Sequence, residues 1–234
     1  MFRALFAYTL FLPWTLFVIV TGLPLSLMNP DYLHAYARFW GKVGLLFAGV
    51  SLVVEGRERI PKDRAVIYMA NHQSNLDILA LFAGLPGQFR WLAKEELFRV
   101  PLFGLAMRRS GYIPVDRSDR KRSIQSMAEA AERISGGTSV VIFPEGTRSG
   151  NGKLLPFKKG GFLLAMQAGA TIVPVTIIGS GAITPKGTLR LSRGPRTIRV
   201  HIGEPLETSG RLLTDRDGLM EEVRRNIAAP LATP

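Results

Sequence analysis

Between Ala4 and Pro30 the chain carries no charged residue, a run of 27 in a sequence of 234. Wound as a helix, the run is about 40 Å long, enough to cross a bilayer core of about 30 Å. A segment with no charge to present to water has to be covered by protein or by lipid, which restricts what the rest can fold into. Pro13 lies inside the run and Thr21-Gly22-Leu23-Pro24 interrupts its second half, so a regular transmembrane helix is not expected. A signal peptide is discounted, because no small-residue cleavage site follows the apolar stretch. Asn29-Pro30-Asp31 then marks a helix start with Asn29 as its cap. After it, Tyr32, Leu33, Tyr36, Phe39, Trp40, Val43, Leu46, Phe47 and Val50 recur at helical spacing, with His34, Arg38 and Lys42 off the stripe. Residues 1–54 are therefore expected to form two membrane-associating helices, spanning the bilayer or dipping into one leaflet.

Charge separates this front end from the remainder. The first 54 residues carry Arg3, Arg38 and Lys42 against Asp31, a net +2, so +10 of the total +12 belongs to residues 55–234. A basic balance of this size points to an anionic partner: nucleic acid, an anionic membrane surface or a phosphorylated substrate. The absence of cysteine removes disulfides, thiolate nucleophiles and cysteine-based metal sites together. Three scattered histidines, His34, His72 and His201, argue against a histidine-rich metal site.

Beyond Glu55 short apolar runs alternate with helical patterns. Strands are expected at 65–70, 89–93, 111–115, 139–143, 171–178 and 198–202, after a strand-like Ser51–Val54. Helices are expected near 75–84, 95–107, 119–134, 160–168 and 214–228. The helix at 119–134 presents Ile124, Met127, Ala128, Ala131 and Ile134 on one face, with Ser118 as cap. The fold class is thus α/β: a single layered domain with a largely parallel or mixed sheet flanked by helices.

The chemistry concentrates at strand ends. Asn71-His72-Gln73-Ser74-Asn75-Leu76-Asp77 follows the apolar run Ala65–Ala70. Five residues apart on one helix, His72 and Asp77 would sit about 140° apart and miss each other. They meet only if the helix begins between them, with Ser74 as N-cap and Asp77 closing a capping box. An acid holding a histidine in one tautomer at a strand end is how a general base is built. Phe143-Pro144-Glu145-Gly146-Thr147-Arg148-Ser149 follows another apolar run, and its glycine and arginine suit close approach to phosphate. Arg117, Lys94 and Lys158 or Lys159 also fall at strand or helix ends. Neither a P-loop nor a nucleophile elbow is present: Leu154 follows Lys153 where Ser or Thr should be, and Gly179-Ser180-Gly181 has the wrong spacing.

In order along the chain, Asn71-His72-x4-Asp77, Gly111 through Arg117, Phe143 through Ser149 and Val173-Pro174-Val175-Thr176-Ile177 resemble the four motif blocks of the glycerolipid acyltransferases. The pattern is most like the bacterial 1-acyl-glycerol-3-phosphate (lysophosphatidic acid) acyltransferases, and Lys94 and Phe157-Lys158-Lys159-Gly160 resemble that subgroup too. The resemblance covers roughly residues 50–205. Tyr112, Pro114 and Thr176 depart from it at loosely specified positions.

The resemblance implies transfer of an acyl group from acyl carrier protein or coenzyme A to the free hydroxyl of lysophosphatidic acid, giving phosphatidic acid. It implies no cofactor beyond that thioester co-substrate. His72 is then the expected base and Asp77 its orienting acid. Arg148 and Arg117, with Lys94 and Lys158, are the expected phosphate ligands, and Glu145, Gly146 and Thr147 line the same substrate site. The expected location is the cytoplasmic face of the inner membrane, with an anionic membrane surface as partner and no nucleic acid. Glycerol 3-phosphate, a lyso-ornithine lipid or another lysophospholipid is the alternative acceptor. A non-catalytic basic protein binding membrane or nucleic acid is the alternative of another class.

Overall fold

A computed structural model describes residues 2–116, 120–150, 152–188, 190–194 and 196–232, without the side chains of residues 2–3 and 120–124. The apolar runs form seven strands: β1 (Ser51–Glu55), β2 (Val66–Ala70), β3 (Arg90–Lys94), β4 (Ile113–Val115), β5 (Val140–Ile142), β6 (Thr171–Ile178) and β7 (Thr197–Ile202). Among the described residues eight α-helices accompany them: α1 (Phe2–Leu25), α2 (Pro30–Phe47), α3 (Leu76–Gly84), α4 (Phe103–Arg109), α5 (Arg120–Ser135), α6 (Lys159–Gln167), the short α7 (Ser180–Ile183) and α8 (Arg216–Ala232).

One sheet holds all seven strands in the order β1-β7-β6-β2-β5-β3-β4. From β6 to β4 every neighbouring pair is parallel, and β7 reverses direction against β6. β2 lies at the centre with all five residues buried, as the continuous apolar run requires of a strand covered on both faces. One core cluster unites α2 and α3 with one face of the sheet, and a second unites α5, α6 and α8 with the other. β1, placed before the expected boundary at residue 54, is an edge strand paired in parallel with β7. The membership of that strand extends the sheet domain back to Ser51.

The front end differs from its sequence reading. α1 runs unbroken through Pro13, Gly22 and Pro24. A proline removes one backbone bond without ending a helix whose other bonds hold. Gly22 is a point of contact, since a Cβ there would lie 2.6 Å from Leu33 Cδ1. α1 is the one helix among the described residues long and apolar enough to cross a membrane, by length and composition.

The α2 stripe divides into two faces. Tyr32, Phe39 and Leu46 are exposed, whereas Leu33, His34, Gly41, Gly44 and Leu45 are buried. His34, expected on the polar side, packs edge-on against Phe89 and meets the Tyr112 hydroxyl through Nδ1 at 3.2 Å. Burial first, then Arg90 and Arg38, pull its pKa down to about 3 and keep it neutral.

The helix expected over 95–107 is two pieces, a 3₁₀ turn at Glu95–Arg99 and α4. Pro101 keeps Val100 extended, and Leu102 turns with φ +59° into a three-residue turn closed by Phe103 N–H on the Pro101 carbonyl. In α5 Ala130 is buried and Ala128 exposed, while Ser118, the expected cap, lies outside the described residues.

Gly41 sets the approach of α2 to α3: a Cβ there would lie 2.8 Å from Phe82 Cβ and 3.0 Å from the Leu79 carbonyl oxygen. Gly41→Ala should therefore lower stability by about 1–2 kcal/mol despite alanine's better helix propensity, a fall in Tm of about 2–8 °C. A thermal melt in detergent reads this out, and an unchanged or higher Tm would contradict the packing described.

Candidate active site

The parallel strands end along one edge of the sheet, and the loops that leave β2, β5 and β6 there build the site. Asn71 extends the β2–β6 pairing by side chain: its Nδ2 donates to the Ile177 carbonyl at 2.9 Å and its Oδ1 accepts from the Ile177 amide at 2.6 Å. The polypeptide then turns into α3, which starts at Leu76 with Asn75 already helical in φ and ψ. Half of the expected capping box forms. Asp77 Oδ2 accepts from the Ser74 amide at 2.8 Å, whereas the Ser74 hydroxyl accepts from the Leu76 amide at 3.3 Å in place of the Asp77 amide and donates to the Thr184 carbonyl at 2.8 Å.

Asp77 is wholly buried, and its Oδ2 collects three donors: the amides of Gln73 (2.7 Å) and Ser74 (2.8 Å) and His72 Nδ1 (2.8 Å). Two backbone N–H groups already make Oδ2 an acceptor, so Nδ1, which meets the same oxygen, is its donor and Nε2 has the lone pair. The His72 side chain is 13% exposed, enough for one ring edge to meet a ligand. Phe143 stacks flat on the ring, with centroids 3.9 Å apart and planes 9° apart.

The loop after β5 holds the histidine from the other side. Glu145 is buried, and its two oxygens accept from the amides of His72 (2.8 Å) and Leu155 (2.7 Å). Burial raises the Glu145 pKa, and those two amides pull it back. The Ser149 amide returns a bond to the His72 carbonyl at 2.8 Å. Gly146, with φ +74°, makes the turn in a conformation that a side chain disfavours.

A cavity of about 450 Å³ opens beside His72. Gly146, Thr147, Arg148 and Lys94 line it with His72, while Val18, Ile19, Leu33, Trp40, Phe82 and Met107 give it apolar walls from α1, α2, α3 and α4. Its direction follows a row of rings from His72 through Phe143, Trp91 and Phe82 to Tyr112, successive centroids being 3.9, 5.6, 5.4 and 6.3 Å apart. An apolar channel with a polar, basic end suits an amphiphile whose reacting group stops at His72.

The sequence-derived residues fall into three groups. His72, Asp77, Gly146, Thr147, Arg148 and Lys94 come together, although the Lys94 ammonium lies 2.8 Å from Glu96. Glu145 sits behind the histidine with both oxygens occupied by backbone amides, and Lys158 is exposed at the start of α6, outside the cavity lining. Arg117 lies outside the described residues. Sequence reasoning missed three contributors: the Asn71 bridge, the Phe143 stack and Lys186, whose Nζ donates to the Arg148 carbonyl at 2.7 Å. Asn71 and Phe143 stand inside recognised blocks, whereas nothing in the chain marks Lys186. Among the described residues no cluster of three His, Asp or Glu side chains is placed to hold a metal ion.

A protein-family model described as Acyltransferase matches residues 51–178. The chloroplastic 1-acyl-sn-glycerol-3-phosphate acyltransferase BAT2 of Brassica napus is 35% identical over 219 residues, covering 90% of this chain and 60% of that protein. LPAT1 of Arabidopsis thaliana, of the same description, is 34% identical and is covered to 58%, so the chain spans less than two thirds of these plant relatives. The human 1-acyl-sn-glycerol-3-phosphate acyltransferase alpha is 32% identical over 92% of this chain and 76% of its own length. Among solved structures, the 1-acyl-sn-glycerophosphate (LPA) acyltransferase PlsC from Thermotoga maritima aligns with a TM-score of 0.82 and 28% identity, over 98% of this chain and 93% of that one. The fold of nearly the whole chain thus has its counterpart in a solved structure, and the chain belongs to the acyltransferase family, alongside members named 1-acyl-sn-glycerol-3-phosphate acyltransferases.

Proposed function

We propose that this chain transfers an acyl group from a thioester donor to the free sn-2 hydroxyl of lysophosphatidic acid, giving phosphatidic acid. The observation that carries this reading is His72, held through Nδ1 by a buried carboxylate, at the basic end of an apolar channel. An alcohol is a weak nucleophile at neutral pH. His72 Nε2 takes its proton as the oxygen attacks the thioester carbonyl, and Asp77 stabilises the imidazolium that forms. The tetrahedral intermediate collapses with loss of the thiolate, which the imidazolium protonates. No acyl-enzyme is required, in keeping with a chain that has no cysteine.

Arg148 is the phosphate ligand this reading favours, with its planar fork at the cavity and Lys186 steadying its backbone. Lys94 contributes as a second cation once the anion draws it from Glu96, and Arg117 and Lys158 remain candidates for the same phosphate. Glu145 acts through His72 as a positioning residue, tying the catalytic loop to the Leu155 segment. The outward faces of α1 and α2 carry Phe6, Leu12, Leu16, Phe17, Phe39 and Leu46 exposed. Those faces seat the enzyme in a bilayer, at the cytoplasmic side of an inner membrane, where acceptor and product reside. The channel wall is then built from the same helices that meet the lipid.

Activity is tested in detergent by following thiol release and phosphatidic acid formation with and without lysophosphatidic acid; acceptor-dependent release supports the reading, and its absence from well-folded protein refutes it. His72→Ala should lower kcat by about 10³-fold or more with substrate binding largely kept, and near-normal turnover would sink the assigned base. Arg148→Ala should raise KM for lysophosphatidic acid by about 10-fold or more while sparing an acceptor without phosphate. An equal loss on both acceptors would remove Arg148 from the phosphate site. Glu145→Gln turns an NH₂ toward one of two backbone N–H groups, so kcat should fall about 10- to 100-fold with KM little changed. A change confined to KM would make Glu145 a substrate ligand instead.

A further inference from the structure

The loops leaving β5 and β6 carry more positive charge than an acceptor phosphate accounts for. From Gly146 to Gly203 the sequence contains no Asp or Glu, yet it contains nine Lys and Arg residues, from Arg148 to Arg199. All but Arg199 fall either between β5 and the first residue of α6 or between α7 and β7. Both connections leave the sheet at the end where β2 delivers His72, so the cations share the edge that holds the site. Lys158, Lys186, Arg190 and Arg193 are exposed. Asp217 of α8 answers Lys159, its carboxyl held down first by a hydrogen bond from Arg216 and more weakly by that lysine.

This face is cationic without being apolar. The exposed large hydrophobic side chains lie on α1, on α2, at Val53, along 97–105 and at Leu212 and Leu213; among the described residues none lies between Gly146 and Gly203. A surface that enters lipid mixes apolar side chains with its basic ones, as α1 and α2 do. A hydrated, purely cationic surface suits an acidic macromolecule that docks and leaves. The cavity that opens at Arg148 is the apolar channel, whose lining suits an acyl chain rather than a nucleotide.

We propose that the face formed by the β5–α6 and α7–β7 connections docks an acidic acyl carrier protein and presents its thioester to His72. This rests on the reading of the site as an acyltransferase that uses a thioester donor. Arg190 and Arg193, neither of which lines the cavity, steer and hold the acidic partner.

The test compares full-length wild type with an Arg190→Glu/Arg193→Glu variant in detergent. Binding of fluorescently labelled acyl carrier protein is followed by anisotropy at 50 and 300 mM salt, and KM is measured for acyl carrier protein and coenzyme A thioesters. Charge reversal should weaken carrier-protein binding and raise its KM by about 10-fold or more at low salt, flatten the salt dependence, and leave kcat and the coenzyme A KM within about 3-fold. Unchanged carrier-protein binding overturns the proposal, as does an equal rise in both KM values. So does loss of binding to anionic phosphatidylglycerol vesicles with carrier-protein binding intact, which would make this a membrane face. The anisotropy measurement needs no acceptor, so it decides the docking face even if lysophosphatidic acid proves not to be the acceptor.

Discussion

One carboxylate oxygen organises the site. Asp77 Oδ2 accepts from two consecutive backbone amides as well as from His72, so the same atom shapes the loop, starts α3 and orients the base. A buried charge is tolerated only where donors compensate it, and here the compensating groups are the ones the chemistry needs in place. Glu145 repeats the device from the β5 loop, fixing the His72 main chain while Phe143 covers the ring. The imidazole is therefore set from its backbone, from Nδ1 and from one face, which leaves Nε2 as the ring nitrogen not engaged by Asp77.

The channel gives this base something to act on. Its walls combine α3, α4 and the β3 strand with α1 and α2, so the apolar front end is part of the site rather than a separable anchor. Gly22, Gly41 and Gly44 permit that assembly, since a Cβ at each would come within 2.8 Å of a neighbouring side chain. Close helix packing thus both places the front end and sets the width of the channel. The proposed division of labour is apolar helices for the lipid, strand-end loops for the acid–base chemistry, and the cationic stretch after Glu145 for the donor.

Much of the sheet was legible because strands buried on both faces must be continuous apolar runs; β6 spans Thr171–Ile178, the range its run suggested. The histidine–aspartate pairing was legible for a geometric reason, as a spacing of five brings two side chains together only across a helix start. Other features depended on partners far along the chain. The α2 stripe merged an outward aromatic row with an inward face of small residues, because periodicity cannot tell lipid from protein as the apolar neighbour. The prolines of α1 read as breaks from local propensity alone. Segment 95–107 read as one helix although Pro101 already forbids it for Val100. The bonds from the His72 and Leu155 amides to Glu145 were not legible either, because nothing local shows which distant backbone groups meet its two oxygens.

The central claim is that His72 activates the acceptor hydroxyl for direct attack, with no acyl-enzyme on the path. Rapid-quench measurement of thiol release from a stoichiometric acyl thioester, with and without lysophosphatidic acid, tests it most directly. The account predicts no release in the first turnover without acceptor and single-exponential release, matched by phosphatidic acid, when acceptor is present. A burst of thiol equal to the enzyme concentration in the absence of acceptor would reveal a covalent intermediate and contradict it.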